Sequence, residues 1–233
     1  MAIHPTINDC RNYVSAHLHH ETRDAPKPQK RPPSITISRQ AGARGRTIGK
    51  KLETALRAAQ SKNDINWTLF DKNLVAQVLE DNDLPAELEK FMPDDTIGEW
   101  EGTINELLGR HPSLWSLFEK TSATIARLAR MGHCIIVGRG GNEVTRGMDN
   151  VLRVCLVGSE HDRIRQMVEI HKMTPDAAYK FVHDEDVARG HYLKKHFSAQ
   201  FADPIQYDLT VNTGELDDDQ VVQTLVSAVQ AIV

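Results

Sequence analysis

The chain predicts an α/β domain, a parallel sheet carrying helices on both faces, and two observations lead to it. Short apolar runs recur at Ile35-Thr36-Ile37, Trp67–Phe70, Cys134–Val137, Val151–Val157 and Leu209-Thr210-Val211. Each precedes a turn signal and a stretch with helical spacing, and strand–helix alternation of this kind builds parallel sheets. A sandwich would instead space its strands at short, regular intervals.

The helical stretches follow in order. Ile48, Leu52 and Leu56 come after the first run, and Leu74, Val75, Val78 and Leu79 after the second. Val221, Val222, Leu225, Val226 and Val229 form the stripe after the last. Between Asp81 and Met131 no strand signal occurs; helical stretches lie near Ala86–Phe91, Thr96–Leu108 and Ser113–Met131, the last closed by Gly132 as its C-cap. Residues 81–131 therefore read as an insertion after the second strand, either a substrate-binding helical subdomain or a thickening of one face of the sheet. Ahead of the first strand, residues 1–33 stand apart. A short helix near Thr6 would carry Cys10, Tyr13, Val14 and Leu18, and the four prolines between Asp24 and Pro33 make a stiff linker. The body is expected to span residues 34–233, with few contacts crossing Pro32-Pro33.

Composition narrows the function. Against 32 acidic residues stand 28 Lys and Arg, a net charge of −4. That balance excludes a general nucleic-acid or membrane binder, so any anion site is local. Cys10, Cys134 and Cys155 are far apart and read as buried thiols of a reducing compartment, with neither a disulfide frame nor zinc spacing. The apolar runs are too short to span a membrane, and the N-terminus lacks a signal-peptide core, which makes the cytoplasm the expected location. His17, His19 and His20 read as a solvated cluster, and His183, His191 and His196 lack H-E-x-x-H spacing. Oligomeric state is left open.

The segment from Ile35 to Gly49 is the most informative: an apolar strand, a loop of small residues from Ser38 to Thr47, then a helix. Gly residues let backbone N–H groups turn toward a polyphosphate, and the helix N-terminus adds partial positive charge. Arg39, Gly42, Ala43, Arg44, Gly45, Arg46 and Thr47 are the candidate nucleotide-binding residues, with the Thr47 hydroxyl available to Mg²⁺. The usual signature is G-x-x-x-x-G-K-[ST]. Here Arg39 stands at the first Gly and Gly45 at the lysine, so Arg44 and Arg46 are expected to supply the missing charge.

Five segments carry a family resemblance: the Ser38–Arg46 loop, Phe70-Asp71-Lys72-Asn73-Leu74, Ile136-Val137-Gly138-Arg139-Gly140, Asp186-x-x-Arg189-x-x-Tyr192, and Tyr207–Thr213. Together they resemble the cytidylate kinase-like family over about residues 34 to 230. The resemblance implies the three-layer α/β/α fold of P-loop kinases, with a five-stranded parallel sheet, an inserted monophosphate-binding region and a lid at residues 160–200. It also implies transfer of the γ-phosphoryl of ATP, with Mg²⁺, to a nucleoside monophosphate, CMP or dCMP being the most plausible. Two departures stand out: the missing loop lysine, and Gly140 where cytidylate kinases proper carry Asp.

Roles for the remaining candidates follow. Asp71, at the end of the second strand, is either an acidic partner of the metal or the N-cap of the next helix. Arg139 follows the third strand, where open α/β sheets place ligands, and would grip the acceptor phosphate. Arg110 is either a substrate-side arginine or a solvated helix end. Ser159-Glu160-His161-Asp162 caps the next helix and places Arg163 and Arg165 in its first turns, toward substrate. The family resemblance makes Arg189 a lid arginine that closes over the phosphates. The alternative function is a catalytically degenerate P-loop protein that binds nucleotide and regulates a partner.

Overall fold

The computed structural model describes residues 31–60, 65–71 and 114–232. Its strands are β1 (Ser34–Arg39), β2 (Thr68–Phe70), β3 (Cys134–Val137), β4 (Val151–Val157) and β5 (Leu209–Asn212). They form one parallel sheet in the order β2-β3-β1-β4-β5. β1 is central, pairing Ile35 with Ile135 on one side and Ile37 with Val154 on the other. Flanked by strands and covered on both faces, its apolar side chains are fully buried.

The helices are α1 (Gly45–Ala59), α2 (Leu114–Met131), α3 (Gly141–Val144), α4 (Glu160–His171), α5 (Pro175–Phe197) and α6 (Asp218–Ala231). α1 and α6 share one face: Ile48, Leu52 and Leu56 join Val221, Leu225 and Val229 over Ile35, Ile37 and Val137. α2 and α3 cover the other. There Gly141 rides so close to Thr36 that a Cβ would lie 3.3 Å from that side chain. The three-layer α/β/α fold and the parallel five-stranded sheet are as the sequence predicts. Gly132, at φ +87°, ends α2, and an Asp217–Gln220 capping box starts α6.

One buried carboxylate fixes the short edge strand. Glu53 Oε1 accepts from the Leu69 amide at 3.1 Å and from Arg57 Nη2 at 2.8 Å, while Arg57 Nε donates to the Trp67 carbonyl at 2.6 Å. Periodicity marks α1 but does not reveal this tie.

Cys134 and Cys155 are buried free thiols, and burial pushes the Cys155 thiol up to about 11. Cys10, the N-terminal histidines and the stretches near 74–79, 86–91 and 96–108 lie outside the described residues. Among the described residues no helix is long and apolar enough to cross a membrane, and no three His, Cys, Asp or Glu side chains converge as metal ligands.

At the junction with the N-terminal segment, the prolines themselves belong to the body. Pro32 and Pro33 are docked: the Pro32 carbonyl accepts from Asn150 Nδ2 at 2.9 Å and the Pro33 carbonyl from the His133 amide at 2.6 Å. Proline lacks a donor but keeps its acceptor, so it can still be bonded at a strand's entrance. Deletion of residues 1–31 is expected to leave the melting temperature nearly unchanged. Deletion of 1–33 orphans two donors, costs about 2 kcal/mol and lowers the melting temperature by roughly 4–8 °C in a thermal melt.

Candidate functional site

The site is built at the carboxyl ends of β1 and β3, on either side of the point where the chain's strand order reverses. After β1 the loop turns at Gly42, φ +79°. A Cβ at Gly42 would lie 2.8 Å from Arg163 Cβ, so the glycine admits the first turns of α4 onto the loop. The Ala43 amide closes the turn on the Gln40 carbonyl at 3.2 Å, and the Ala43 side chain belongs to the core.

Arg163, only 7% exposed, is spent on this junction. Its Nη1 donates to the Ala41 carbonyl at 3.0 Å and pairs with Asp186 Oδ2 at 2.6 Å, and its Nε donates to the Gly158 carbonyl at 3.1 Å. The other oxygen of Asp186 accepts the Ala41 amide at 2.7 Å. One carboxylate of α5 thus holds both a loop amide and a buried guanidinium. Arg165 pairs with Asp162 at 2.7 Å, which itself sits in the first turn of α4 behind the Ser159 cap.

The two expected stand-ins for the lysine part company. Arg44, at φ +57°, donates to the carbonyls of Thr213 and Leu216 and pairs with Asp218 at 2.8 Å. Its guanidinium joins the loop to the start of α6 rather than lying over the loop. Arg46 is more than half exposed and pairs with Asp71 at 2.8 Å across the mouth of the site. Thr47 is exposed in the first turn of α1. Asp71 itself is nearly buried at the end of β2.

A cavity of about 590 Å³ opens between the loop, the β3 end and α5. Arg39, Arg46, Asp71, Arg139 and Arg189 all line it. Arg189 is held by Glu185 at 2.9 Å and by the Arg39 carbonyl at 3.2 Å, so α5 lies down on the loop. Burial and the neighbouring Arg189 lower the Arg39 guanidinium to about 10, which leaves it charged at neutral pH. Arg139 sits at φ +58° between Gly138 and Gly140, which are also left-handed. A non-glycine residue pays about 1 kcal/mol or more for that conformation, and here it aims an exposed guanidinium at the cavity. On the far side of the loop a second cavity of about 290 Å³ is lined by Gly42, Arg44, Arg163, Arg165, Gly214 and Asp217 among others. Of the sequence-derived candidates, Arg39, Arg46, Asp71, Arg139 and Arg189 line the first cavity and Gly42, Arg44, Arg163 and Arg165 the second, while Ala43, Gly45 and Thr47 line neither. Arg110 lies outside the described residues.

A family model for the cytidylate kinase-like family matches residues 34–215. The chain belongs to the cytidylate kinase-like family. Among solved structures it is similar to an uncharacterized protein from Eubacterium ventriosum, at 17% identity with a TM-score of 0.63, covering 86% of this chain and 99% of that one. A shikimate kinase from Bacteroides thetaiotaomicron matches at 15% identity and a TM-score of 0.48, over 85% and 98% of the two chains. A gluconokinase from Sinorhizobium meliloti matches at 11% identity and a TM-score of 0.47, over 88% and 95%. Curated proteins give no significant match.

Within the cytidylate kinase-like frame, the departure at Gly140 has a physical partner that the sequence reading missed. A Cβ at Gly140 would lie 2.8 Å from Phe197 Cζ. Phe197 ends α5 and packs on Phe118 with ring centroids 5.3 Å apart. Asn142 also escaped notice: the Ser38 hydroxyl donates to its Oδ1 at 3.1 Å on the cavity wall. A polar residue in the first turn after Gly-Arg-Gly was the available signal. Gly140→Asp is expected to cost about 2–4 kcal/mol, from overpacking plus left-handed strain. A Gly140→Asp/Phe197→Ala pair should fall short of the sum of the two single losses in denaturant melts.

Proposed function

We propose that this protein is a phosphotransferase that moves the γ-phosphoryl of Mg-ATP to a nucleoside monophosphate, with CMP or dCMP as acceptor. One observation carries the reading. Arg39 and Arg139 both line the larger cavity, and among the described residues no carboxylate ion-pairs with either. Arg46 and Arg189 have their own carboxylates. Two guanidinium groups without a paired carboxylate in a concave site favour an anion there, such as a phosphoryl group.

In the reaction an oxygen of the acceptor phosphate bonds to the γ-phosphorus, the bond to the β–γ bridging oxygen breaks, and ADP leaves with the electron pair. The chain's part is positioning and charge. Arg139 grips the acceptor phosphate from the end of β3. Arg189, carried by α5, lies against the loop and helps exclude water from the larger cavity. The smaller cavity takes the nucleoside end of the donor, with Gly42, Arg165 and Gly214 on its walls. Mg²⁺ is usually held by one or two carboxylates plus phosphates; Asp71, on the cavity wall, would hold it by exchanging Arg46 for the metal, with the Thr47 hydroxyl of the first turn of α1 beside it, and bound there it would neutralise phosphate charge.

The test is a coupled assay over the common nucleoside monophosphates with Mg-ATP, run beside Arg139→Gly. Glycine suits the left-handed backbone, so this variant should melt at or above the wild-type temperature while kcat falls about 100-fold or more. ATP affinity by calorimetry should change little, because the lost contact is on the acceptor side. If the wild type binds ATP tightly and transfers to no acceptor, the protein is instead a regulatory nucleotide-binding module.

A further inference from the structure

The loop of this protein lacks a lysine, and of the two arginines beside the gap Arg44 is turned to the start of α6 while Arg46, at the mouth of the site, is paired with Asp71. Gly45 stands at the lysine position. A Cβ there would lie 2.8 Å from Arg39 Cγ and 3.2 Å from both Arg39 Cβ and Cδ. The methylene stem of Arg39 therefore crosses the very face from which a lysine side chain would leave. At its other end, a Cβ on Gly138 would lie 3.0 Å from Arg39 Cζ and 3.2 Å from its Nη2. Arg39 thus starts at the first position of the loop, passes over Gly45 and ends on Gly138, next to Arg139.

We infer that Arg39 and Gly45 have exchanged roles: Arg39, from the opposite end of the loop, is the cation on the phosphoryl group in transit, and Gly45 is the gap that lets it pass. The inference rests on the phosphotransferase reading and adds to it which residue does the lysine's work. A loop lysine reaches the β- and γ-phosphates from the donor side. Arg39 instead places its head between the loop and Arg139, so it can fork onto oxygens of the group passing between donor and acceptor. Two glycines are accounted for at once, Gly45 under the stem and Gly138 under the head. The cavity's charge fits as well, since Arg39 and Arg139 are the arginines lining it that have no carboxylate partner among the described residues.

The experiment measures affinity for ADP and for the imido analogue of ATP by calorimetry, with Mg²⁺, for four chains. Arg39→Gln keeps the stem over Gly45 and removes the charge. It should weaken the analogue about 10- to 100-fold and ADP no more than about 3-fold, because only the analogue carries the terminal phosphoryl group. Gly45→Lys alone should lose analogue affinity, since its stem collides with that of Arg39. The exchange Arg39→Gly/Gly45→Lys should recover analogue affinity to within about 5-fold of the wild type, and its melting curve reports folding independently. Arg39→Gln binding the analogue as the wild type does, or losing ADP equally, overturns the inference, as does a folded double variant that fails to recover. A wild type that binds neither nucleotide overturns the phosphotransferase reading along with it. A wild type that binds and transfers, with an indifferent Arg39, overturns this inference alone.

Discussion

The Asp186 carboxylate is where the three parts of the site meet. One oxygen accepts the Ala41 amide of the loop, and the other meets Arg163, which is itself bonded to the Ala41 carbonyl. Loop, α4 and α5 are thereby tied through a single side chain. A buried guanidinium without its carboxylate is costly, far more so than the pair is favourable, so this arrangement resists partial disassembly. The position of Arg189 against the loop, and so the shape of the larger cavity, follows from that tie.

Most of the fold was legible because its signal is local. Ile35, Ile37, Ile135 and Val154 are apolar in short runs, and burial on both faces of a central parallel strand demands that pattern. Gly132 and Ser159 mark helix ends for reasons contained within a turn of chain. The site was legible only in its membership. Arg39, Asp71 and Arg139 could be picked out by type and by position relative to strands, and Arg189 by the family resemblance, and the structure places all four on the wall of one cavity. The partners of several other arginines could not, because those lie far away in sequence. Arg44 is drawn to Thr213, Leu216 and Asp218, and Arg163 to Asp186. A flexible cation takes the nearest carboxylate or carbonyl, and nothing in a loop's spacing says which one that is.

The two departures from the cytidylate kinase pattern share a logic. At Gly45 and at Gly140 a side chain has been given up, and at each a larger one from elsewhere lies over the vacated backbone: Arg39 in the first case, Phe197 in the second. A glycine in a functional loop is often explained by its torsional freedom. Gly140, at φ +68°, has that reason as well. For Gly45, inside a helix, the only reason is the neighbour that needs the room.

The docking of Pro32 and Pro33 has a further consequence. Their partners, His133 and Asn150, immediately precede β3 and β4, at the amino-terminal end of the sheet. The cavities open at the other end, a strand length or roughly 20 Å away. A protein tethered to a solid support through a label on Arg31, the exposed residue before these prolines, would therefore be anchored from behind, with the arginine-lined mouth facing the solution. In a surface-based binding measurement, coupling at Arg31 keeps the site accessible, and coupling through surface lysines of α5, such as Lys194 and Lys195, puts α5 itself against the support.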